Sequence, residues 1–212
     1  MTPTQKAESG LPADIDPSAV SILVDEDIHR PLGTGFYFMQ ARYFVTAKHV
    51  VVDDETGCAR KNLVLIQNGP NYPKATVVFV HPTLDVAVLH IDNPGCSVPL
   101  FPSDQRIIGK HGLRYWGYAP SLSDSKTHKY IVAVSDISRY ECEEPRERHD
   151  GTEWVIRFGS NFSEPGHSGG PVLGAGGGVV AMITQGHDGW CRATEIRCLL
   201  PYLTFQFEEH AS

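Results

Sequence analysis

Until its last dozen or so residues the chain shows no sustained helical period. It is instead a succession of short β-like runs broken by Gly, Pro, Asn and Asp. The runs are Ala19–Val24, Gly33–Met39, Arg42–Ala47, Asn62–Gln67, Ala75–Val80 and Leu84–Ile91. They continue with Leu113–Ala119, Tyr130–Ile137, Glu153–Phe158, Gly170–Gly174 and Gly178–Thr184. They are rich in Val, Ile, Phe and Tyr, which suit a pleated surface, and turn residues recur between them. That pattern predicts an all-β fold, and about a dozen strands are more than one small barrel uses. Two barrels are expected, joined where the pattern is weakest, in the Pro- and Gly-loaded stretch Ile91–Gln105. The predicted division is 1–17 as a disordered lead-in, 18–100 as one barrel and 101–212 as the other with a C-terminal segment.

Three segments need a separate reading. Ser138–Glu153 is densely charged and reads as a solvated loop between strands. "GAGGG" at 174–178 lies between two strands and does not match a dinucleotide fingerprint, so a hairpin turn is expected. "EIRCLLPYL" near the end fits a strand, a short helix, or one followed by the other.

Composition narrows the function classes. Of 212 residues, 41% are hydrophobic and 20% charged, which is globular rather than disordered. A net charge of −7 with scattered basic residues argues against nucleic acid or an anionic membrane as partner. No apolar stretch is long enough to span a bilayer, and the polar N-terminus lacks the apolar core of a signal peptide. Five cysteines at irregular spacing, with no C-x-x-C, read as reduced thiols in a cytoplasmic protein. The ten histidines are spread out and none pairs with a cysteine at ligand spacing, so neither a metal nor a cofactor is implied.

One stretch points to chemistry: "EPGHSGGPVLG", Glu164 to Gly174. Two glycines directly after Ser168 mark backbone that turns sharply or is closely approached. Taken alone, Ser168 is a turn residue. A serine nucleophile needs a base, a carboxylate that orients the base, and N–H donors for the oxyanion. His49, in "FVTAKHVV", ends an apolar run at what should be a barrel rim. Asp85 stands at the mouth of the apolar run "LDVAVLHI", where a carboxylate is costly to bury without a partner. By itself, His49 is also readable as a strand-end histidine and Asp85 as a turn cap. The order His, Asp, Ser is the one found on double β-barrels.

These segments resemble the trypsin-like serine proteases of the chymotrypsin fold. "TAKHV", "LDVAVLHI" and "GHSGGPV" resemble the family's histidine, aspartate and serine motifs, in its linear order. "GTGFYF" and "YWGYAP" resemble segments of HtrA-like (Deg-like) and single-domain bacterial members. The resemblance runs from about residue 19 to 205 and implies two packed antiparallel six-stranded β-barrels with the active site between them. It implies a serine endopeptidase acting on protein or peptide substrates through an acyl-enzyme. Ser168 would be the nucleophile, His49 the general base and Asp85 its orienting group. The amides of Gly166 and Ser168 would form the oxyanion hole, Thr184, Gln185 and Gly186 the substrate-pairing edge, and Phe162 the base of a pocket for a small or apolar P1 residue. Activity should then rise with pH through the free imidazole value of ~6.5.

Departures from the family shape a second reading. Val50 follows His49 where secreted members have cysteine, there is no Ile-Val-Gly-Gly start, and His167 stands where the zymogen-activating aspartate would be. Activation by N-terminal cleavage is therefore not expected. The chain ends soon after residue 205, so the trailing peptide-binding domain of most HtrA-like members is not expected either. A protease held latent until a partner orders its oxyanion loop fits these departures. So does a silent pseudo-protease acting as a peptide-binding or regulatory module. His167 itself should point away from the reaction centre.

Overall fold

The computed structural model describes residues 15–27, 30–66, 72–95, 97–103, 112–118, 132–137, 140–142, 146–148, 151–153, 155–159, 165–187 and 190–209. Strands β1 (Val20–Asp25), β2 (Arg30–Phe38), β3 (Gln40–Thr46), β4 (Leu63–Ile66), β5 (Lys74–Val80) and β6 (Ala87–Ile91) form one closed barrel. Its order is β1-β2-β3-β6-β5-β4, with every neighbouring pair antiparallel. Phe36, Phe38, Phe44, Leu65, Val88 and Leu89 are fully buried. β1 is buried almost along its whole length rather than on alternate residues. Both of its faces are covered: Leu23 packs into the main core, while Ile22 and Val24 form a second cluster with Val64 and Tyr118. Tyr118 comes from the other sheet, so the cluster lies at the junction between the two sheets.

That sheet contains β7 (Leu113–Tyr118), β8 (Val132–Ile137), β9 (Tyr140–Cys142), β12 (Val155–Gly159), β13 (Pro171–Leu173), β14 (Val179–His187) and β15 (Trp190–Glu195). Its order is β8-β7-β13-β14-β15-β12-β9. The first and last members, β8 and β9, are consecutive in the chain. Ile137 and Tyr140 are three peptide steps apart, at most ~11 Å. The two edges of the sheet therefore meet, and it is rolled into a nearly closed barrel. With β8 and β9 counted as one bent strand, the barrel has the six staves expected from the sequence. Tyr115, Ile156, Phe158, Val172, Ala181, Ile183 and Ala193 fill it.

The segment between the sheets is stitched to both. Leu100 pairs with Phe38 of β2 and Pro102 with Val179 of β14, each as an isolated parallel bridge. "GAGGG" is a hairpin turn, closed by hydrogen bonds between Gly174 and Gly178 and between Gly177 and Gly174.

Two expectations are corrected. The charged stretch Ser138–Glu153 is not simply a loop. It supplies β9, which pairs with β12, and a separate hairpin of β10 (Arg146–Arg148) and β11 (Gly151–Glu153). Strand ladders are made by backbone groups, so charged side chains do not exclude them. β15 was not among the predicted runs, because Arg192 and Glu195 interrupt its apolar pattern; pairing with β14 and β12 on both sides holds it. The ambiguous C-terminal segment is helical: α2 (Ile196–Glu209) follows β15 directly and contains Pro201. Ile196, Leu199 and Leu203 recur at helical spacing and bury one face in the main core.

Candidate active site

At the end of β3 the chain bends into a single helical turn, α1 (Lys48–Val51). Val50 and Val51 are buried and anchor it, and His49 is left partly exposed at the rim. Asp85 lies in the bend just before β6 and reaches His49 twice. Its Oδ1 accepts from the His49 backbone N–H at 3.0 Å, and its Oδ2 lies 2.8 Å from Nδ1. The clasp fixes both the position of the ring and its tautomer, with Nδ1–H facing the carboxylate and Nε2 left as the basic nitrogen. The hydrogen bond to Asp85 raises the His49 pKa above its ordinary value; partial burial opposes this, and the charges of Asp85 and Asp54 add to the rise. The midpoint of about 6.5 expected from sequence is therefore corrected upward.

Ser168 belongs to a loop of the other sheet that is docked on β2. The Thr34 N–H donates to the Ser168 carbonyl (2.9 Å), and the Thr34 hydroxyl donates to the Gly166 carbonyl (2.7 Å). That hydroxyl also accepts from the Tyr118 N–H (2.8 Å). Thr34 thus ties β2, β7 and the serine loop at one point. Gly33 shows how near the loop comes to His49. A Cβ built there would lie 2.7 Å from Val50 Cγ2 and 3.0 Å from the Ser168 carbonyl oxygen. Ser168 and the residue after His49 therefore flank the same short piece of β2.

The glycines have specific reasons. Gly166 (φ 112°) and Gly169 (φ 85°) lie in the region that favours glycine. A Cβ on Gly169 would also collide with the Thr34 carbonyl and the Thr46 hydroxyl. The loop is closed by Gly170 N–H to the His167 carbonyl, and by reciprocal bonds of Gly169 and Gly170 with Ile183. Among the described residues, the amide N–H groups of Gly166 and Ser168 donate to no other group. His167 is buried, packed against the Tyr115 ring (centroids 5.4 Å apart) and closely approached by Gly117. It points into the sheet, as the sequence predicts.

β14 is bonded on both sides only as far as Ile183. Beyond it, Gln185, Gly186 and His187 pair with β15 alone, and the opposite edge is open among the described residues. Gln185 and Gly186 are exposed, whereas Thr184 is half-buried at a register shift. Phe162 lies outside the described residues. Among the described residues no group of three His, Cys, Asp or Glu side chains is placed to hold a metal.

The family model of the trypsin-like peptidase domain matches residues 33–182, from Gly33 in β2 through the serine loop to Met182 in β14. The chain belongs to the trypsin-like peptidase family. As a member it is a protease, a hydrolase of the serine class. No curated protein sequence matches it. Solved structures share its fold at low identity. The Rv3671c protease from M. tuberculosis, in its active form, has a TM-score of 0.64 at 19% identity, over 89% of this chain and 80% of that one. The HtrA-type protease AlgW with a decapeptide gives 0.63 at 18% identity, over 91% of this chain and 65% of that one. The serine protease of a human pathogenic astrovirus gives 0.59 at 18% identity, over 86% of this chain and 92% of that one. Sequence reading missed Thr34 as a structural centre of this trypsin-like peptidase; "GTGFYF" had marked only the resemblance, because the Thr34 hydroxyl bonds Gly166 and Tyr118, each more than 80 positions away.

Proposed function

We propose that the protein is a serine endopeptidase that cleaves peptide bonds through an acyl-enzyme. The Ser168 hydroxyl attacks the scissile carbonyl carbon while His49 Nε2 takes its proton. Asp85, held at Nδ1, stabilises the imidazolium that forms. The carbonyl oxygen, now negative, is received by the N–H groups of Gly166 and Ser168. His49 returns the proton to the leaving amine as the C–N bond breaks. Water then repeats the sequence on the ester, releasing the acid and free Ser168. The observation that carries this reading is the two-point His49–Asp85 clasp beside a serine loop whose two amides are unengaged among the described residues.

The substrate is an extended peptide, paired to the open edge of β14 at Thr184, Gln185 and Gly186 by main-chain hydrogen bonds. The peptide-bound neighbour AlgW supports a peptide ligand. Phe162 is assigned to the base of the P1 pocket, favouring a small or apolar residue. In this reading 18–100 is the unit of the base and acid, and 101–212 that of the nucleophile. The irregular, odd set of cysteines supports a cytoplasmic location.

Labelling with a fluorophosphonate probe tests the reading, with wild type beside Ser168→Ala and His49→Ala. Only wild type should label. A folded wild type that does not label would sink the reading of a ready enzyme and leave the latent protease awaiting a partner, or the silent binding module.

A further inference from the structure

The bend that presents Asp85 is organised around a second histidine. His81, at the end of β5, is fully buried. Its Nδ1 faces two backbone donors of the bend, the N–H of Leu84 at 2.9 Å and the N–H of Thr83 at 3.2 Å. A ring nitrogen that meets two N–H groups is an acceptor, so Nδ1 carries no proton and the ring proton is on Nε2. The same bend is closed by the His81 N–H to the Val86 carbonyl (3.0 Å). It is also tied to the His49 helix, because the Lys48 ammonium donates to the carbonyls of His81 (3.2 Å) and Pro82 (3.3 Å). The ring is held by aromatic edges: Tyr202 of α2 at 4.2 Å between centroids and Phe79 of β5 at 5.9 Å.

We propose that His81 is a positioning residue for Asp85: neutral, Nε2-protonated, its Nδ1 orders the bend that sets the carboxylate against His49, and Tyr202 holds the ring in place. The inference deepens the endopeptidase reading and rests on it for its kinetic consequences. Among the described residues, the charged and titratable groups around the ring include Lys48, through the carbonyl of His81, Asp85 at the end of the bend, and the Tyr202 phenol. A proton added at Nδ1 would turn the acceptor into a donor facing two donors and would undo the bend.

Two substitutions separate the acceptor from the ring. His81→Phe keeps an aromatic ring against Tyr202 and removes the acceptor. His81→Asn removes the ring but offers Oδ1 to the N–H groups two and three residues on, as asparagine does in turns. In the full chain, His81→Phe should lower kcat about 10- to 100-fold with KM little changed, as a small misplacement of a catalytic group does. His81→Asn should stay within about 3-fold of wild type. Imidazole 15N NMR of the wild type should show His81 as the Nε2–H tautomer. In His81→Phe the His49 titration midpoint should fall toward ~6.5, because the Asp85 bond that raises it is weakened. An Nδ1–H tautomer, an unmoved His49 midpoint, or equal loss in both variants would overturn the proposal. If His81→Phe does not fold, the wild-type tautomer and the activity of His81→Asn still decide it. If wild type neither cleaves peptides nor labels with fluorophosphonate, the endopeptidase reading fails, while the NMR tautomer and midpoint still judge this one.

Discussion

The two barrels solve the edge problem differently. The first closes into a ring: each of its six strands pairs with a neighbour on both sides, β5 joining β4 through Lys74 and Ala75 among the described residues. The second rolls until β8 and β9 meet but leaves the far end of β14 without a partner on one side, among the described residues. A closed barrel fixes its rim, and the first carries His49 and Asp85, whose relative geometry must be held within fractions of an ångström. An open edge can accept another strand, and the second barrel carries the serine loop beside such an edge. The contrast teaches that rigidity and receptivity are divided between the barrels and meet at Thr34 and Gly33.

The sharpest ways to break this comparison act on the shared chemistry. Ser168→Ala should abolish peptide hydrolysis, a fall of about 10⁶-fold in kcat by analogy with other serine proteases, with an unchanged melting curve. Asp85→Asn should cost about 10⁴-fold in kcat, since the amide favours the wrong His49 tautomer. A loss below about 10-fold in that variant would mean that the clasp does not serve catalysis. Gly169→Ala strikes the join between the barrels. Its Cβ collides with the Thr34 carbonyl at a left-handed φ, so the melting temperature should fall by several degrees and activity should be lost. Thr34→Val removes one hydroxyl that serves both barrels, and about 1–3 kcal/mol of stability and about 10-fold in kcat should go with it. If stability falls and kcat does not, the loop is held by other contacts. A peptide substrate N-methylated at an amide that faces β14 should show a KM raised about 5- to 30-fold with kcat little changed, as loss of one edge hydrogen bond predicts.

The pH dependence sharpens the first barrel alone. Because Asp85 raises the His49 pKa, kcat/KM should reach half its plateau above ~6.5, when the free base appears. Stability follows the opposite sign. The charged His49–Asp85 pair contributes fully below the unfolded imidazole value of ~6.5, and its contribution is lost as pH rises through the higher folded value. Thermal melts from pH 5 to 9 should therefore show a small decline that His49→Ala removes.

Much of the candidate site was legible in the sequence because its parts are local. A strand-end histidine, an aspartate at the mouth of an apolar run and a glycine-flanked serine each announce a special backbone position. β15 was not legible, since Arg192 and Glu195 hide a strand whose two neighbours, β12 and β14, hold it by backbone pairing. Nor was β9, which lies inside a charged stretch and exists because β12 offers it an edge. His81 carried no signal in the sequence, because its proposed role depends on which ring nitrogen faces the amides of Thr83 and Leu84.

By itself the sequence determined the all-β class, the family motifs and which side chains are the candidates for the chemistry. Each of these is written in residue type and short-range spacing. Tertiary structure decided the closure of one barrel and the open edge of the other, the docking of the serine loop on Thr34, and the direction of the His49 pKa shift. Those depend on hydrogen bonds and charges between residues tens to more than a hundred positions apart, whose distances no local pattern encodes.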